Sequence, residues 1–338
     1  MQRRAFLAAL PPLLAACTPV AQVAGSPGLD FAGPRLESDR FISFDGARLG
    51  LTVWPAVGEP SAVIVALHGM NDYAQAFTLA APIWAEEGIT TYAIDQRGFG
   101  RSPRRGVWGG EALMTEDLRA LTRVVRGRHP GALLTVVGES MGGAVAISAF
   151  ASDRPPDADR LVLLSPAVWG WDAQPLLYRS TLWLGARTIP SYRFGTPRWV
   201  AREIRASDNI EHMIRMGQDR NLIFDTRVDA IYGLVNLMQR ALVSVRSIRR
   251  PPPVLYCYGA NDEIIPKKPS FFAARQLQPG DRSAYYRRGW HMLTRDLQGE
   301  AVTRDVAAFI RDPAGPLPSG APPIPGSRTP GAAGRATA

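Results

Sequence analysis

Seven short runs rich in β-branched and other apolar residues recur along the chain: LGLTVWP (49–55), SAVIVALHG (61–69), ITTYAIDQ (89–96), LLTVVGE (133–139), RLVLLSPA (160–167), PVLYCYGAN (253–261) and SAYYRRG (283–289). Helix-length stretches separate most of them. Strands that are apolar at nearly every position must be covered on both faces, so this alternation predicts an α/β fold: a mostly parallel central sheet with helices on both sides. In such sheets reacting groups collect at the carboxyl ends of the strands. One connection breaks the rhythm. The segment from Ala167 to Pro253 is too long for a simple crossover, so residues 169–250 read as an inserted helical cap on a core formed by 39–168 and 251–312.

The fourth run leads into GESMGGAVAIS, which places Ser140 on a strand-to-helix turn between Gly138 and Gly142. The G-x-S-x-G spacing suits a turn so sharp that the serine is forced into strained backbone angles, with no room for neighbouring Cβ atoms. Such a turn lifts the hydroxyl clear of the sheet. It also aims the first N–H groups of the helix at the same point, where they would stabilise an anion. A glycine-rich turn with an incidental serine has the same spacing, so the partners of Ser140 decide its meaning.

A serine hydroxyl is a poor nucleophile until a base takes its proton, and the base needs an acid to orient it. The chain has 4 histidines. His129, in RGRHPG, lies where a helix ends in a turn, a surface position. His212, in NIEHMIRM, belongs to the cap and would have to reach far. His68 precedes Gly69 after an early strand and shapes that loop. His291, in RRGWHML, lies between the last strand and the last helix, at the correct edge of the sheet, and is the candidate base. Asp262, in YGANDEIIP, directly follows its strand in a turn-rich loop and is the candidate acid. Asp172, the first carboxylate after the preceding strand, is the alternative, while Asp225 and Asp229 suit a solvated face of the cap.

The order Ser140, Asp262, His291 is that of the α/β-hydrolases, and the resemblance covers residues 40–312. Within it HGMND (68–72), DQRGFGRS (95–102), GESMGG (138–143) and GANDEIIP (259–266) resemble the branch containing monoacylglycerol lipases, lysophospholipases and serine aminopeptidases. The resemblance implies an α/β-hydrolase fold, an acyl-enzyme on Ser140, and an oxyanion hole formed by the backbone N–H groups of Met70 and Met141. His68, Gly69 and the RGFG turn would hold the surrounding loops. Such a reaction needs neither a metal nor an organic cofactor. One departure bears on substrate: monoacylglycerol lipases usually carry a histidine shortly after the acidic residue of the first motif, and here Tyr73 follows Asp72.

The expected substrate is a lipid-like acyl ester, a monoacylglycerol or lysophospholipid. The cap sequence supplies Trp169, Trp171, Leu176, Leu177, Trp183, Leu184 and Phe194, enough large apolar groups to line an acyl channel, with Arg179, Arg187, Arg193 and Arg198 for a membrane-facing rim. Two alternatives share the triad, a small-ester hydrolase and an aminopeptidase. A third, of another class, is an inactive envelope scaffold or lipid-binding protein. Dehalogenase and epoxide hydrolase chemistry needs a carboxylate where Ser140 stands.

The first residues, MQRRAFLAALPPLLAACTPV, have a positive start, a short apolar stretch and small residues before Cys17, which read as an export signal. LAAC at 14–17 resembles the bacterial lipobox. That implies a signal peptide over 1–16, acylation of Cys17, and a protein held by lipid at the bacterial cell envelope, facing the periplasm. Arg3 and Arg4 also resemble a twin-arginine export signal. Residues 17–38, rich in Pro, Gly, Ala and Ser, read as a tether, and the Pro/Gly/Ala-rich 313–338 as a disordered tail. The only other cysteine, Cys257, lies in an apolar run and reads as core. A net charge of +9 comes almost wholly from arginine spread along the chain, and no nucleic-acid-binding pattern accompanies it.

Overall fold

The structure, a computed structural model, describes residues 18–195, 204–248 and 252–327. Strands are β1 (Arg35–Leu36), β2 (Arg40–Ile42), β3 (Arg48–Trp54), β4 (Ala62–Leu67), β5 (Ile89–Ile94), β6 (Leu133–Glu139), β7 (Arg160–Leu164), β8 (Arg193–Gly195), β9 (Asp225–Arg227), β10 (Val254–Gly259) and β11 (Arg282–Tyr286). Helices are α1 (Ala81–Glu86), α2 (Glu111–Arg128), α3 (Met141–Phe150), α4 (Leu176–Thr188), α5 (Ile210–Gly217), α6 (Val228–Ser244), α7 (Lys267–Ala274) and α8 (Gly299–Arg311).

All seven apolar runs form strands of one sheet, in the order β1-β2-β3-β5-β4-β6-β7-β10-β11. Pairing is antiparallel from β1 through β5 and parallel from there to β11. The continuous apolar character of β4 has a simple cause. Val63, Val65 and Leu67 enter the core on one face of the sheet, with α2, α3 and α6, while Ala62, Ile64 and Ala66 enter the core on the other, with α1 and α8. The short strands β1 and β2 carry too few residues to show a period, and the sequence gives no sign of them.

Between β7 and β10 lies the cap, with helices α4, α5 and α6 and the small antiparallel pair β8–β9. Helix α6 is seated on the core so closely that a Cβ at Gly233 would lie 2.4 Å from Nε1 of Trp108. By contrast, α4 buries only Ala186.

Two expectations need correction. The described part of the supposed tether is docked, not free. Ala21 bridges Trp108, the Gln22 side chain donates to Val107 O at 3.0 Å, Val20 N donates to Asp229 Oδ2 at 3.4 Å, and Gly25 N donates to Asp45 Oδ2 at 2.8 Å. Backbone and side-chain hydrogen bonds at the seam between core and cap outweigh a composition that resembles a linker.

The expected disordered tail is likewise ordered over 313–327. Ile324 is 1% exposed, Leu317 7%, and Pro322 O accepts from Tyr285 N at 2.7 Å on the edge strand β11. Buried Asp305 accepts from Tyr286 OH and from both the backbone and the hydroxyl of Ser319. Proline lowers the conformational entropy lost on docking and glycine permits the turns; neither forbids a few apolar anchors. Residues 328–338 and Cys17 lie outside the described residues.

Candidate active site

The sequence LLTVVGESMGG folds as strand β6, a one-residue turn, and helix α3. Ser140 sits at φ 52°, ψ −116°, a conformation disfavoured for a residue with a Cβ. The flanking glycines make it possible. A Cβ at Gly142 would lie 2.2 Å from Leu67 O, and one at Gly138 2.6 Å from Gly142 O. Ser140 N donates to Leu164 O at 3.0 Å, and its own carbonyl accepts from Ala167 N at 2.9 Å, so β7 and its following loop fix the turn. The local strain is thus held by surrounding packing. Met141 begins α3, and its N–H is among the first four that have no partner inside the helix.

Loop 68–73, after β4, lies against this turn. A Cβ at Gly69 would stand 3.2 Å from Ser140 Cβ and 3.7 Å from its Oγ. His68 fixes the loop: its Nε2 accepts from Gln96 N at 2.8 Å, and Nδ1 donates to Gly69 O at 2.7 Å. Those two partners define a neutral ring, and burial holds the His68 pKa below its ordinary value. Gln96 closes the staple by donating its side-chain amide to His68 O at 2.8 Å.

Asp262 and His291, at the carboxyl ends of β10 and β11, are brought together. His291 Nδ1 donates to Asp262 Oδ2 at 2.8 Å, with the carboxylate fully buried and the imidazole nearly so. The other oxygen of Asp262 accepts from the backbone N–H groups of Ile264 at 2.8 Å and Ile265 at 2.9 Å, so the acid is held in one orientation. With its proton on Nδ1, the neutral imidazole keeps Nε2 as an acceptor. Burial lowers the His291 pKa, but the charge and hydrogen bond of Asp262, with the charge of Glu139, outweigh it, and the net shift is upward from 6.5.

Other expected candidates are engaged elsewhere. Asp172 accepts from Gln239 Nε2 at 2.7 Å within the cap, and Asp229 pairs with Arg227. His129 meets Tyr92 OH at 2.8 Å. His212 does reach the core: it is 7% exposed and sits in the field of Arg295 and Asp72, with burial and Arg295 lowering its pKa. Trp169 and Trp171 pack against the core, whereas Leu176, Leu177, Trp183, Leu184 and Phe194 are at least half exposed. Arg198 lies outside the described residues.

Sequence reasoning missed Arg295 and Glu139. Arg295, 1% exposed, donates from Nη1 to Asp72 Oδ2 at 2.7 Å and from Nη2 to Glu139 Oε1. One guanidinium therefore ties the residue before Ser140 to the 68–73 loop and to the loop of His291. The available signal was charge inside GES and within TRD, where buried carboxylates and arginines must be paired.

The family model described as "Serine aminopeptidase, S33" matches residues 58–298. The chain is 27% identical over 277 residues to the "Monoacylglycerol lipase" of Mycolicibacterium smegmatis, covering 80% of this chain and 95% of that protein. It is 23% identical over 268 residues to the "Monoglyceride lipase" of Rattus norvegicus, covering 78% and 86%. The fold also superposes on a soluble variant of monoglyceride lipase from Saccharomyces cerevisiae with a TM-score of 0.66 at 18% identity, covering 85% of this chain and 98% of that one.

Proposed function

Because the chain belongs to the serine aminopeptidase S33 family of α/β-hydrolases, we propose that it cleaves carboxylic esters of lipid-like alcohols through an acyl-enzyme on Ser140, with monoacylglycerols as the first substrate class to test. The observation that carries this reading is the buried Asp262–His291 pair at the carboxyl edge of the sheet, together with a serine held at positive φ on the turn after β6. Ser140 Oγ attacks the acyl carbon as His291 Nε2 takes its proton. The N–H groups of Met70 and Met141 receive the tetrahedral oxyanion. His291 then returns the proton to the departing alcohol, and water repeats the sequence in reverse to free the acid.

The exposed side of α4 supports action at a lipid surface. Leu176 and Leu177 are 76% and 68% exposed, and Arg187 stacks on Trp183 at 4.0 Å, an arrangement in which apolar groups enter the interface and cations meet anionic headgroups. We also propose, from LAAC at 14–17, that acylated Cys17 holds the protein at the bacterial cell envelope. Exchange of Cys17 for Ala should release it from the membrane fraction or leave the signal uncleaved, and unchanged lipid labelling and retention would reject that anchor.

The catalytic reading is tested with Ser140→Ala, expected to lower turnover by about 10⁴-fold or more and to abolish labelling by a fluorophosphonate. The substrate reading is tested by a chain-length series. Each methylene buried contributes about 0.8 kcal/mol, so kcat/KM should rise severalfold per added carbon over short acyl chains. A flat series rejects a lipid-like ester in favour of a small one, and efficient cleavage of aminoacyl anilides would favour an aminopeptidase.

A further inference from the structure

Glu139 ends β6 immediately before the nucleophile, and its side chain turns into the interior, 1% exposed. Its Oε1 accepts from Arg295, whereas Oε2, also buried, has no hydrogen-bond partner among the described residues. A carboxylate kept dry with half its acceptor capacity unused is costly unless a nearby positive charge answers it. Arg295 answers only in part, because the same guanidinium also serves Asp72. Two carboxylates sharing one cation leave one negative charge over, beside Ser140.

The group able to take up that charge is His291. The charged groups acting on it come from three elements: Asp262 from the loop after β10, Glu139 from β6 and Arg295 from its own loop; Arg295 in turn binds Asp72 from the loop after β4, with His212 of the cap helix α5 in the field of that pair. Asp262 and Glu139 favour the imidazolium and Arg295 opposes it. The attraction is mutual: burial raises the Glu139 pKa on balance, and the charges of Arg295 and His291 both lower it.

We propose that Glu139, clamped by Arg295, is a positioning residue that stabilises the His291 imidazolium formed while Ser140 is acylated, so that the base works between two carboxylates. Asp262 orients the ring through Nδ1, and Glu139 acts through space from the nucleophile's side. Arg295 fixes that carboxylate on the nucleophile's side, where a Cβ at Gly69 would stand 3.7 Å from both Glu139 Oε1 and Ser140 Oγ, while diluting its charge, which keeps the imidazole from being permanently protonated. No bond forms or breaks at Glu139, and the proton travels only between Ser140, His291 and the leaving group. The inference rests on the proposed roles of Ser140 and His291.

Glu139→Gln is the direct test, because the amide oxygen can still accept from Arg295 while the charge is removed. The acid limb of the kcat/KM–pH profile should move to lower pH, and kcat at its plateau should fall on the order of tenfold, with KM unchanged. Glu139→Asp, which keeps the charge on a shorter arm, should restore the limb toward the parent position. If Glu139→Gln does not fold, the comparison of Glu139→Asp with the parent protein stands alone. A limb unmoved in Glu139→Gln, or moved in Glu139→Asp as far as removal of the charge moves it, overturns the proposal, as does a loss of thermal stability with no change in the profile. Ser140→Ala separates the two levels: turnover surviving in that variant refutes the nucleophile, whereas an unmoved limb in an enzyme that Ser140→Ala inactivates refutes only the role of Glu139.

Discussion

Asp262→Asn changes one atom type, and the surrounding hydrogen bonds determine where the new nitrogen goes. Oδ1 receives the N–H groups of Ile264 and Ile265 at 2.8 and 2.9 Å, so that position must stay an oxygen. The new NH2 then faces His291 Nδ1, 2.8 Å away, where only an acceptor can meet it. The ring is driven to carry its proton on Nε2, the atom that must accept from Ser140. Loss of the correct tautomer together with loss of the charge that supports the imidazolium should lower kcat by about 10⁴-fold, or about 5.5 kcal/mol of transition-state stabilisation. Both backbone hydrogen bonds survive, so Tm should change little. The pH profile moves in a defined direction. The base must be neutral, so activity of the parent protein rises with pH through the elevated His291 pKa, and removal of Asp262's charge moves that limb to lower pH. Steady-state hydrolysis of a soluble nitrophenyl ester across the acid limb, with Tm measured alongside, gives all three quantities. A loss below tenfold with an unmoved limb would refute the assignment of Asp262 as the acid.

Asp172→Asn should leave kcat/KM within about twofold, because its partner is Gln239 on the cap surface; a loss comparable to that at Asp262 would move the acid to the earlier strand. Gly69→Ala places a methyl carbon 3.2 Å from Ser140 Cβ, so kcat should fall by roughly 10²-fold with little change in KM as the hydroxyl is displaced. Ile324→Ala should cost about 2–5 kcal/mol and lower Tm by several degrees; an unchanged melting curve would mean that the C-terminal segment contributes no packing.

The chain order of Ser140, Asp262 and His291 at the strand ends was legible because each motif carries its own local reason. Gly138 and Gly142 are required by the angles of Ser140, and Asp262 and His291 each lie in the loop that follows a strand whose apolar run is visible in the chain. His68 as a loop-shaping residue was legible for the same reason, since it directly follows β4. The ion cluster was not. Glu139 ends a strand while Asp72 and Arg295 come from two separate loops, and nothing in GES, HGMND or WHMLTRD states that one guanidinium will span the first two.

Composition misled at both ends of the described chain. Residues 18–25 read as linker, yet a few directed hydrogen bonds to Trp108, Val107, Asp229 and Asp45 hold them, and partners so distant in sequence leave no local trace. Residues 313–327 read as disordered, yet Leu317 and Ile324 are buried and Ser319 serves Asp305. What the amino-acid sequence by itself determined was the alternation that builds the sheet, the strained turn at Ser140 and the strand ends that supply its partners, because those depend on residues adjacent along the chain. How Arg295 divides its charge between Glu139 and Asp72, and where both terminal segments dock, were decided only by tertiary structure, because pairing and burial depend on distances that adjacency does not encode.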